Sequence, residues 1–427
     1  MKLVFKYTKF LCLICLVFLS CSADPAQSAS QTPVVEEKVP FRTGAEVLIE
    51  EQIDRLKGLK VGLVANHTTM VYDETHLVDT LLALGVELTK IFAPEHGFRG
   101  TADAGEKVRS GVDPQTGLPL LSLHGKVRKP TPEMLSDLDL VIFDIQDVGV
   151  RHYTYIYTLS YVMEACATQG IKVLVLDRPN PNGWYVDGPM MEDCCTSFIG
   201  LHKLPVVHGL TVAEYAHLIN EEGWLENGQK VELEVTLCEG YDHQTRWESL
   251  NRRWIPPSPN LGTEYSAYLY PILVMFERTP VSIGRGTDDA FTILGAPWFE
   301  VAANARLKGD DEFRMIPYRF TPESLPGKSK YPKHQDKECT GYRFSGKTDG
   351  KSLFLMGLEL IQQTHQVYTE SGATDPYFMK SFARWPGYES FIQQIEQGME
   401  AEKIYQSWQA DTDVFRVLRK KYLLYEE

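Results

Sequence analysis

Residues 138–149 read LDLVIFDIQDVG, a hydrophobic run that ends in a cluster of polar side chains. Three other segments have the same form, at residues 60–65, 88–93 and 171–176. Short apolar runs of this kind are typical of strands that are buried on both faces. Between them lie stretches with apolar residues at helical spacing, at residues 75–85 and 155–169. The alternation predicts an α/β fold, in which helices cover both sides of a parallel sheet.

Each of the four predicted strands is followed directly by polar residues. The clusters are Asn66-His67, Glu95-His96, Asp144-Ile145-Gln146-Asp147 and Asp177-Arg178-Pro179-Asn180. A single Asn or Asp at such a place often caps the next helix, but capping does not require Glu-His or Asp-Arg pairs. The carboxyl ends of parallel strands meet at one edge of the sheet, where open α/β sheets bind their ligands. The four clusters therefore predict one polar cleft at this edge.

The second half of the chain is less regular. A capping box at residues 211–214 opens a helix that ends near Glu222, and residues 231–238 have the composition of a strand. Beyond residue 300, helical patterns dominate, at residues 352–368, 389–402 and 413–425. We therefore expect a smaller α+β domain after the first one, with the boundary anywhere between residues 200 and 310.

The first twenty residues have the form of a signal peptide. Lys2, Lys6 and Lys9 precede an apolar run at residues 10–19. Such a run is too short to cross a hydrocarbon core of roughly 30 Å as a helix, so we expect a cleaved segment. It ends at Ser20-Cys21, which resembles a bacterial lipoprotein processing site. The prediction is a lipid on Cys21, a flexible tether at residues 21–42, and a membrane-anchored protein of the bacterial cell envelope, periplasmic or associated with the outer membrane. Plain secretion after cleavage nearby is the alternative.

The charge balance argues against a nucleic-acid partner. The 427 residues include 43 Lys and Arg against 57 Asp and Glu, a formal net charge of −14. A chain this acidic repels a phosphate backbone at long range. No GxGxxG follows a predicted strand, and the glycine-rich residues 284–287 lack the spacing and the Lys of a P-loop. We therefore expect no nucleotide and no other cofactor.

The motifs of metal- and serine-dependent hydrolases are missing as well. There is no HExxH, and no two histidines have the spacing of ligands on one helix, so no metal is expected. No GxSxG turn offers a serine nucleophile. What remains is a set of carboxylates with abundant Tyr, Trp, Arg and Asn. That combination suits a sugar, because carboxylates do acid/base work, aromatic rings stack on pyranoses, and guanidinium or amide groups hold hydroxyls and carboxylates.

A series of short strings, in a fixed order, is similar to one protein family. The strings include Pro94-Glu95-His96-Gly97-Phe98-Arg99-Gly100, Asp144-Ile145-Gln146-Asp147-Val148-Gly149-Val150-Arg151, Tyr153-Thr154-Tyr155, Asp177-Arg178-Pro179-Asn180-Pro181, His208-Gly209 and Gly284-Arg285-Gly286-Thr287. Over residues 45–427 they resemble the exo-β-N-acetylmuramidases, long catalogued as a domain of unknown function. The resemblance implies a Rossmann-like domain, here residues 43–210, and a smaller C-terminal α+β domain, here residues 211–427, with the active site in the cleft between them. It also implies release of N-acetylmuramic acid from the non-reducing end of peptidoglycan fragments, with no nucleotide or metal.

The resemblance also suggests roles for single residues. Glu95 is the leading catalytic candidate, a general acid that protonates the departing glycosidic oxygen. The second carboxylate is Asp144, Asp147 or Glu277, and a route assisted by the acetamido group of the substrate stays open. The candidates for binding the lactyl carboxylate are Arg99, Arg151, Arg178 and Arg285. The other expected substrate-binding residues are Asn66, His96, Gln146, Tyr153, Tyr155, Asp177, Asn180 and His208.

Three places in the sequence, one residue and two short segments, depart from the family's pattern. His124 stands where Tyr is usual, Glu277-Arg278-Thr279-Pro280 where Glu-Gly-Thr-Asn is usual, and Ala290-Phe291 where Pro-Phe is usual. Arg278 adds bulk and charge beside Glu277, and Pro280 removes an amide donor. The substrate preference could therefore have shifted, for example toward muropeptides with stem peptides. The alternative functions are a non-catalytic peptidoglycan-binding lipoprotein and, more remotely, a metal-dependent amidase or deacetylase.

Overall fold

The computed structural model describes residues 39–95, 97–98, 110–300 and 312–427. The predicted signal peptide, the lipidation site Cys21, and the candidate site residues His96 and Arg99 lie outside these ranges. The strands are β1 (Val61–Ala65), β2 (Met70–Val71), β3 (Thr75–His76), β4 (Leu88–Ala93), β5 (Gly111–Val112), β6 (Pro119–Ser122), β7 (Leu140–Asp144), β8 (Lys172–Leu176), β9 (Leu233–Thr236), β10 (Ile293–Ala296), β11 (Arg314–Phe320) and β12 (Cys339–Ser345). The α-helices are α1 (Gly44–Val47), α2 (Leu77–Ala83), α3 (Pro132–Leu135), α4 (Tyr155–Gln169), α5 (Val212–Glu221), α6 (Glu264–Leu273), α7 (Gly350–Glu370), α8 (Ser390–Glu396), α9 (Ala401–Ser407) and α10 (Gln409–Arg419).

The main sheet has the strand order β5-β6-β4-β1-β7-β8-β9. All neighbours in it pair in parallel except β5 and β6, which are antiparallel. The order reverses at β1, because β4 pairs with it on one side and β7 on the other. The predicted α/β fold with a mostly parallel sheet is confirmed.

Both faces of this sheet are buried, which explains why its strands are apolar at successive positions. In β7, Val141 and Phe143 pack into one hydrophobic core, and Leu140 and Ile142 pack into the other. The first core contains α4 and α5, and the second contains α2. Replacing one large core side chain such as Phe143 by Ala costs about 3–5 kcal/mol of stability, because it leaves a cavity.

Residues 211–236 supply a helix and a strand to the main sheet. The predicted capping box is present: Thr211 Oγ1 accepts from Glu214 N at 3.3 Å, and Glu214 Oε2 accepts from Thr211 N at 2.8 Å. Helix α5 then packs on β8 and β9, and β9 pairs in parallel with β8. The sheet therefore continues past residue 210, where the sequence suggested that the first domain ends.

The C-terminal region contains a three-stranded antiparallel sheet, β10-β12-β11, and helices α7 to α10. The helix predicted at residues 352–368 is confirmed as α7. The prediction of a single helix at residues 389–402 was wrong, because this segment is divided between α8 and α9. Gly398 has φ +67°, a left-handed conformation that lies just beyond the end of α8 and favours glycine.

The helix predicted at residues 413–425 ends earlier, at Arg419. The residues after it are held by Asp177, which follows β8, and by Glu214 of α5, instead of by helical hydrogen bonds. The hydroxyl of Tyr425 donates to Asp177 Oδ2 at 2.7 Å, and the backbone N of Leu424 donates to Glu214 Oε1 at 2.8 Å. The end of the chain is thus tied to the main sheet.

In the described ranges, no helix has the length and apolar composition needed to cross a bilayer. The cysteines there are free thiols, at positions 166, 194, 195, 238 and 339.

Candidate active site

A cavity of about 200 Å³ lies at the carboxyl-end edge of the main sheet. Its lining residues are Glu95, His152, Tyr153, Thr154, Tyr155, Ile199, Ser258, Leu261, Tyr270, Val274, Glu277, Arg285, Phe291 and Trp385. Glu95 follows β4, and residues 152–155 connect β7 to α4, so the loops after the strands on either side of β1 meet here. Five of the predicted site residues are brought together in this cavity: Glu95, Tyr153, Tyr155, Glu277 and Arg285.

Glu95 is positioned by the end of β4 and by the start of α4. Gly97, at φ +75°, has the left-handed conformation that favours glycine, and it follows Glu95 by two residues. The hydroxyl of Thr154, the residue before α4, donates to Glu95 Oε2 at 3.2 Å. The hydroxyl of Tyr155 lies 3.5 Å from the backbone oxygen of Glu95 and donates to Pro257 O at 2.8 Å. These contacts orient the carboxyl group of Glu95 at the cavity wall.

Glu277 and Arg285 form an ion pair in the cavity. Arg285 Nε and Nη2 donate to Glu277 Oε1 at 2.9 and 2.7 Å. Burial raises the pKa of Glu277, but the charges of Arg285 and Lys333 outweigh burial and bring the pKa below its ordinary value. Glu277 is therefore ionised at neutral pH.

Lys333 is a third charged residue close to this ion pair. Its Nζ donates to the backbone oxygens of Phe276 and Val281 at 2.8 and 3.0 Å. Burial lowers the pKa of Lys333 to about 8, although the charge of Glu277 opposes that shift. The lysine is therefore mostly protonated at neutral pH and adds a positive charge close to Glu277.

Aromatic rings form one wall of the cavity. Tyr153 lies edge-on to Tyr155, with ring centroids 5.1 Å apart, and edge-on to Tyr270, at 5.8 Å. Arg285 lies 5.1 Å from the centroid of Phe291. Trp385 lies on the lining as well, and its backbone oxygen accepts from His152 Nε2 at 2.7 Å. Such rings offer flat apolar surfaces of the kind on which a pyranose stacks.

Asp144 and Arg178 do not line the cavity but pair with each other in the interior. Arg178 Nε and Nη2 donate to the two carboxylate oxygens of Asp144, the second at 2.8 Å. Asp144 is fully buried and Arg178 nearly so. A buried pair of this kind holds two loops of the sheet edge together, and removing one partner leaves an uncompensated charge.

Arg151 is also a structural residue in this geometry. Its Nη1 donates to the backbone oxygens of Pro189 and Leu204, both at 2.7 Å. Its Nη2 donates to those of Trp385 and Pro386, at 3.1 and 2.9 Å. The guanidinium is fully buried and does not line the cavity. It connects the loop that carries Trp385 to the rest of the site.

Asp147 is buried next to the cavity but does not line it. Its Oδ1 accepts from the backbone N of Val148 and Gly149 at 2.7 and 2.9 Å. Burial raises the pKa of Asp147 to about 7, against these hydrogen bonds. The carboxyl group thus shapes the turn after β7.

The other predicted polar residues hold the backbone of this edge and also lie off the cavity lining. Asn66 Oδ1 accepts from Thr68 N at 2.8 Å, as a turn-forming residue does. Gln146 Nε2 donates to Pro179 O at 2.7 Å, and Asn180 Nδ2 donates to Leu210 O at 2.8 Å. Asp177 Oδ1 accepts from Ala213 N at 3.0 Å, and His208 Nδ1 accepts from Leu210 N at 3.2 Å. Burial lowers the pKa of His208 to about 3, so this imidazole is neutral.

The sequence did not single out several residues of the cavity. Thr154 lies inside a string quoted for the resemblance, and His152 lies between two of those strings. Tyr270, in α6, and Trp385, in a loop after α7, carried no polar pattern that would mark them. Their place follows from tertiary packing alone.

The residues that depart from the family's pattern, His124, Arg278, Pro280 and Ala290, are not among those that line the cavity. Arg278 is exposed, and its guanidinium lies 5.0 Å from the ring centroid of Trp385, outside the lining. The backbone oxygen of Pro280 accepts from His334 Nε2 at 2.6 Å. Arg278 therefore lies at the rim of the cavity, on the outer side of a lining residue.

Both halves of the chain match models of one protein family. The family model described as "Exo-beta-N-acetylmuramidase NamZ, N-terminal" matches residues 61–265, and the one described as "Exo-beta-N-acetylmuramidase NamZ, C-terminal" matches residues 268–425. The chain belongs to the exo-β-N-acetylmuramidase family. The two models meet within α6, and the cavity has lining residues in both of them.

Relatives within this family cover nearly the whole chain. The peptidoglycan β-N-acetylmuramidase NamZ of Bacillus subtilis (strain 168) is 36% identical over 414 residues, which is 95% of each chain. Two crystal structures of DUF1343 family proteins from Bacteroides fragilis NCTC 9343 have the same fold. Their sequences are 36% and 30% identical to this chain, and their TM-scores are 0.77 and 0.79. Each match covers 91% of this chain and 100% of the chain in the crystal structure.

Proposed function

We propose that this chain is an exo-acting glycosidase that releases terminal β-linked N-acetylmuramic acid from the non-reducing end of peptidoglycan fragments. The observation that carries the proposal is the composition of the cavity, which combines Glu95, Glu277, Arg285 and a wall of tyrosines. These groups provide an acid, a second carboxylate, a cation and stacking surfaces, as hydrolysis of an acidic sugar requires. The activity in the name of the Bacillus subtilis relative agrees with this chemistry.

The active site in this proposal lies between the Rossmann-like sheet region and the C-terminal region. Glu95 and residues 152–155 come from the loops of the sheet, whereas Glu277, Arg285 and Trp385 come from the part matched by the C-terminal model. Substrate would thus contact both parts of the chain at once.

Glu95 is the general acid. Glu277 is unsuited to that role, because Arg285 and Lys333 keep it ionised. In its protonated form Glu95 gives its proton to the glycosidic oxygen as the bond to the anomeric carbon breaks, so that the leaving sugar departs as a neutral alcohol. The hydroxyl of a water molecule is added to the anomeric carbon, and the other proton of that water restores the protonated carboxyl of Glu95. Thr154 fixes the orientation of the carboxyl group through its hydrogen bond to Oε2.

Glu277 is the second carboxylate of the site. Asp144 and Asp147, the other two candidates, do not line the cavity. The negative charge of Glu277 stabilises the positive charge that develops on the sugar ring in the transition state. It also fixes Arg285, whose Nε and Nη2 it binds.

Arg285 recognises the lactyl carboxylate, the group that distinguishes N-acetylmuramic acid from N-acetylglucosamine. Glu277 engages two of its three guanidinium nitrogens, and Nη1 is left to meet a substrate oxygen. A charge-assisted hydrogen bond of this type is stronger than a neutral one and directional, so it selects an acidic sugar. Phe291, against which the guanidinium packs, keeps it in place.

Product release from N-acetylmuramyl-β-1,4-N-acetylglucosamine tests the function, with N,N′-diacetylchitobiose as the comparison substrate. The proposal expects free N-acetylmuramic acid from the first and no cleavage of the second, which lacks the lactyl group. Equal cleavage of both would remove Arg285 from substrate recognition. Cleavage of neither, with retained binding, would favour a binding protein.

The envelope location belongs to the same proposal. A signal peptide at residues 1–20 directs export, and lipidation of Cys21 anchors the chain through a tether at residues 21–42, where peptidoglycan is within reach. Metabolic labelling with a radioactive fatty acid, beside Cys21→Ser, measures this directly. Label on the wild type alone supports the anchor, and a released, unlabelled wild-type protein contradicts it.

A further inference from the structure

A second cavity, of about 60 Å³, lies on a different face of α6 and shares no residue with the first. We call it the Trp247 cavity; it is lined by Pro181, Trp184, Arg246, Trp247, Glu248, Glu264, Tyr268, Lys347 and Thr348. Glu264 and Tyr268 are one helical turn apart on α6, whereas the first cavity takes Tyr270 from this helix and Val274 from the residue just after it. The two cavities therefore lie on different sides of this helix.

Three hydrogen-bond donors in the Trp247 cavity are buried without a partner. They are Arg246 Nη1, Trp247 Nε1 and Thr348 Oγ1, none of which has a hydrogen-bond partner among the residues that the structure describes. Leaving a buried donor unsatisfied is unfavourable, so three of them around one cavity favour a ligand that brings a hydrogen-bond acceptor such as a carbonyl oxygen.

Charge and aromatic content narrow the class of ligand. The lining side chains carry two positive charges, Arg246 and Lys347, and two negative ones, Glu248 and Glu264, so their sum is zero. Lys347 is paired with Glu248. A cavity without net charge favours a neutral ligand over a carboxylate or a phosphate.

The guanidinium of Arg246 packs against one of the aromatic rings of the cavity. The guanidinium lies 3.8 Å from the ring centroid of Trp184, and Trp184 is nearly parallel to Tyr268, at 17° and 6.4 Å. A sugar site combines aromatic rings, on which the sugar ring stacks, with polar groups that bind the sugar's hydroxyl and amide groups. The indoles, charged groups and hydroxyl of this cavity form such a combination. The volume corresponds to roughly four to six water molecules, which suits an acetamido group better than a whole ring.

We propose that the Trp247 cavity is a second, non-catalytic saccharide site that takes the acetamido group of a neutral N-acetylated sugar. Resting on the proposed function, we assign that sugar to the glycan of peptidoglycan. Binding there would hold the enzyme on the polymer while the first cavity acts at a chain end.

The test uses N,N′,N″-triacetylchitotriose, a neutral N-acetylated sugar without a lactyl carboxylate, titrated into the purified full chain by calorimetry. We expect Trp247→Phe, which removes the indole N–H, and Arg246→Gln to weaken binding at least fivefold. Trp224→Phe, at an indole outside both cavities, is the matched control and is expected to bind as the wild type does. Glu95→Gln is expected to leave binding intact.

The activity of the same variants separates the two proposals. Release of N-acetylmuramic acid from the disaccharide is expected to stay within twofold in Trp247→Phe and Arg246→Gln. Absence of trisaccharide binding, or equal binding in wild type and both variants, would overturn the second site, even if the disaccharide is cleaved. Trisaccharide binding that depends on Trp247 without any cleavage of the disaccharide would support the second site and count against the proposed function.

Discussion

Arg285 directs two of its nitrogens to a single oxygen of Glu277, with Nε at 2.9 Å and Nη2 at 2.7 Å from Oε1. Each residue fixes the other in the cavity that also contains Glu95. The pair thus sets two properties together: the charge state of Glu277 and the direction in which Arg285 presents its remaining donors.

Glu277→Gln is expected to lower kcat/KM for the disaccharide by roughly 30- to 1000-fold, because it removes a charge from the transition state and releases Arg285. Steady-state kinetics of disaccharide cleavage measure the effect. Glu338→Gln is the matched control, since Glu338 pairs with Arg319 on the exposed surface. It is expected to change kcat/KM less than twofold, as a surface pair contributes little. An unaltered Glu277→Gln enzyme would exclude Glu277 from catalysis.

Arg151→Lys is expected to destabilise the protein by about 2–4 kcal/mol, because a lysine cannot serve four carbonyl oxygens and leaves some of them unsatisfied. Urea unfolding measures the loss. Arg314→Lys, at an exposed position, is expected to unfold like the wild type. If Arg151→Lys kept full stability but raised KM, Arg151 would belong to substrate binding as the sequence suggested.

Asp147→Asn is expected to flatten the dependence of stability on pH. The pKa of Asp147 is about 7 in the folded protein, so the folded state retains this proton to higher pH than an unfolded chain, in which Asp has a pKa of about 3.9. Stability from this group is therefore present at low pH and is lost as the pH rises through about 7, by at most about 4 kcal/mol. Asn keeps the acceptor for Val148 and Gly149 but does not titrate.

Free energies of unfolding at about pH 5 and about pH 8 test this sign. The wild type is expected to lose more stability than Asp147→Asn between the two values. Asp375→Asn, at an exposed loop position, serves as the control and should follow the wild type. An equal loss in the wild type and Asp147→Asn would show that the buried group is already ionised at about pH 5.

Arg278→Ala is expected to raise KM several-fold for muropeptides that carry an acidic stem peptide, and to leave KM for the plain disaccharide unchanged. Arg278 is exposed at the rim, on the ring of Trp385, where it meets a substituent outside the cavity. Arg384→Ala, one residue before Trp385 and also exposed, is the matched control. Equal effects on both substrates would exclude recognition of stem peptides by Arg278.

The fold was predictable where strands are buried on both faces. β1, β7 and β8 contain continuous apolar runs, and β4 is apolar from Ile91 to Ala93, because both faces of these strands are buried. The edge strand β5 and its neighbour β6 are short and at least partly exposed, so they carry no such pattern. Gly398 interrupts a helical pattern that the apolar spacing alone would continue from α8 into α9.

The candidate site was predictable only in part, for a related reason. Glu95, Tyr153 and Tyr155 line the cavity as expected, since they follow β4 and β7 at the carboxyl edge. Asp144 and Arg178 stand at equally polar strand ends, yet they turn to each other, because β7 and β8 are neighbours in the sheet. A polar residue at a strand end looks the same in sequence whether it faces a ligand or an adjacent loop.

Glu277 and Arg285 became candidates through resemblance alone. They lie in a 3₁₀ turn and in a glycine-rich loop, far in sequence from the sheet whose edge they complete. Long-range packing of this kind leaves no local pattern, and the same holds for Tyr270 and Trp385.

The proposed role of Glu95 as the acid of an N-acetylmuramidase is decided by comparing the wild type with Glu95→Gln. Wild type and Glu95→Gln are each incubated with N-acetylmuramyl-β-1,4-N-acetylglucosamine, and free N-acetylmuramic acid is quantified beside calorimetric binding of the disaccharide. We predict release by the wild type, a loss of at least about 100-fold in Glu95→Gln, and similar binding by both. Release at the wild-type rate by Glu95→Gln, or none by either protein, would contradict the account.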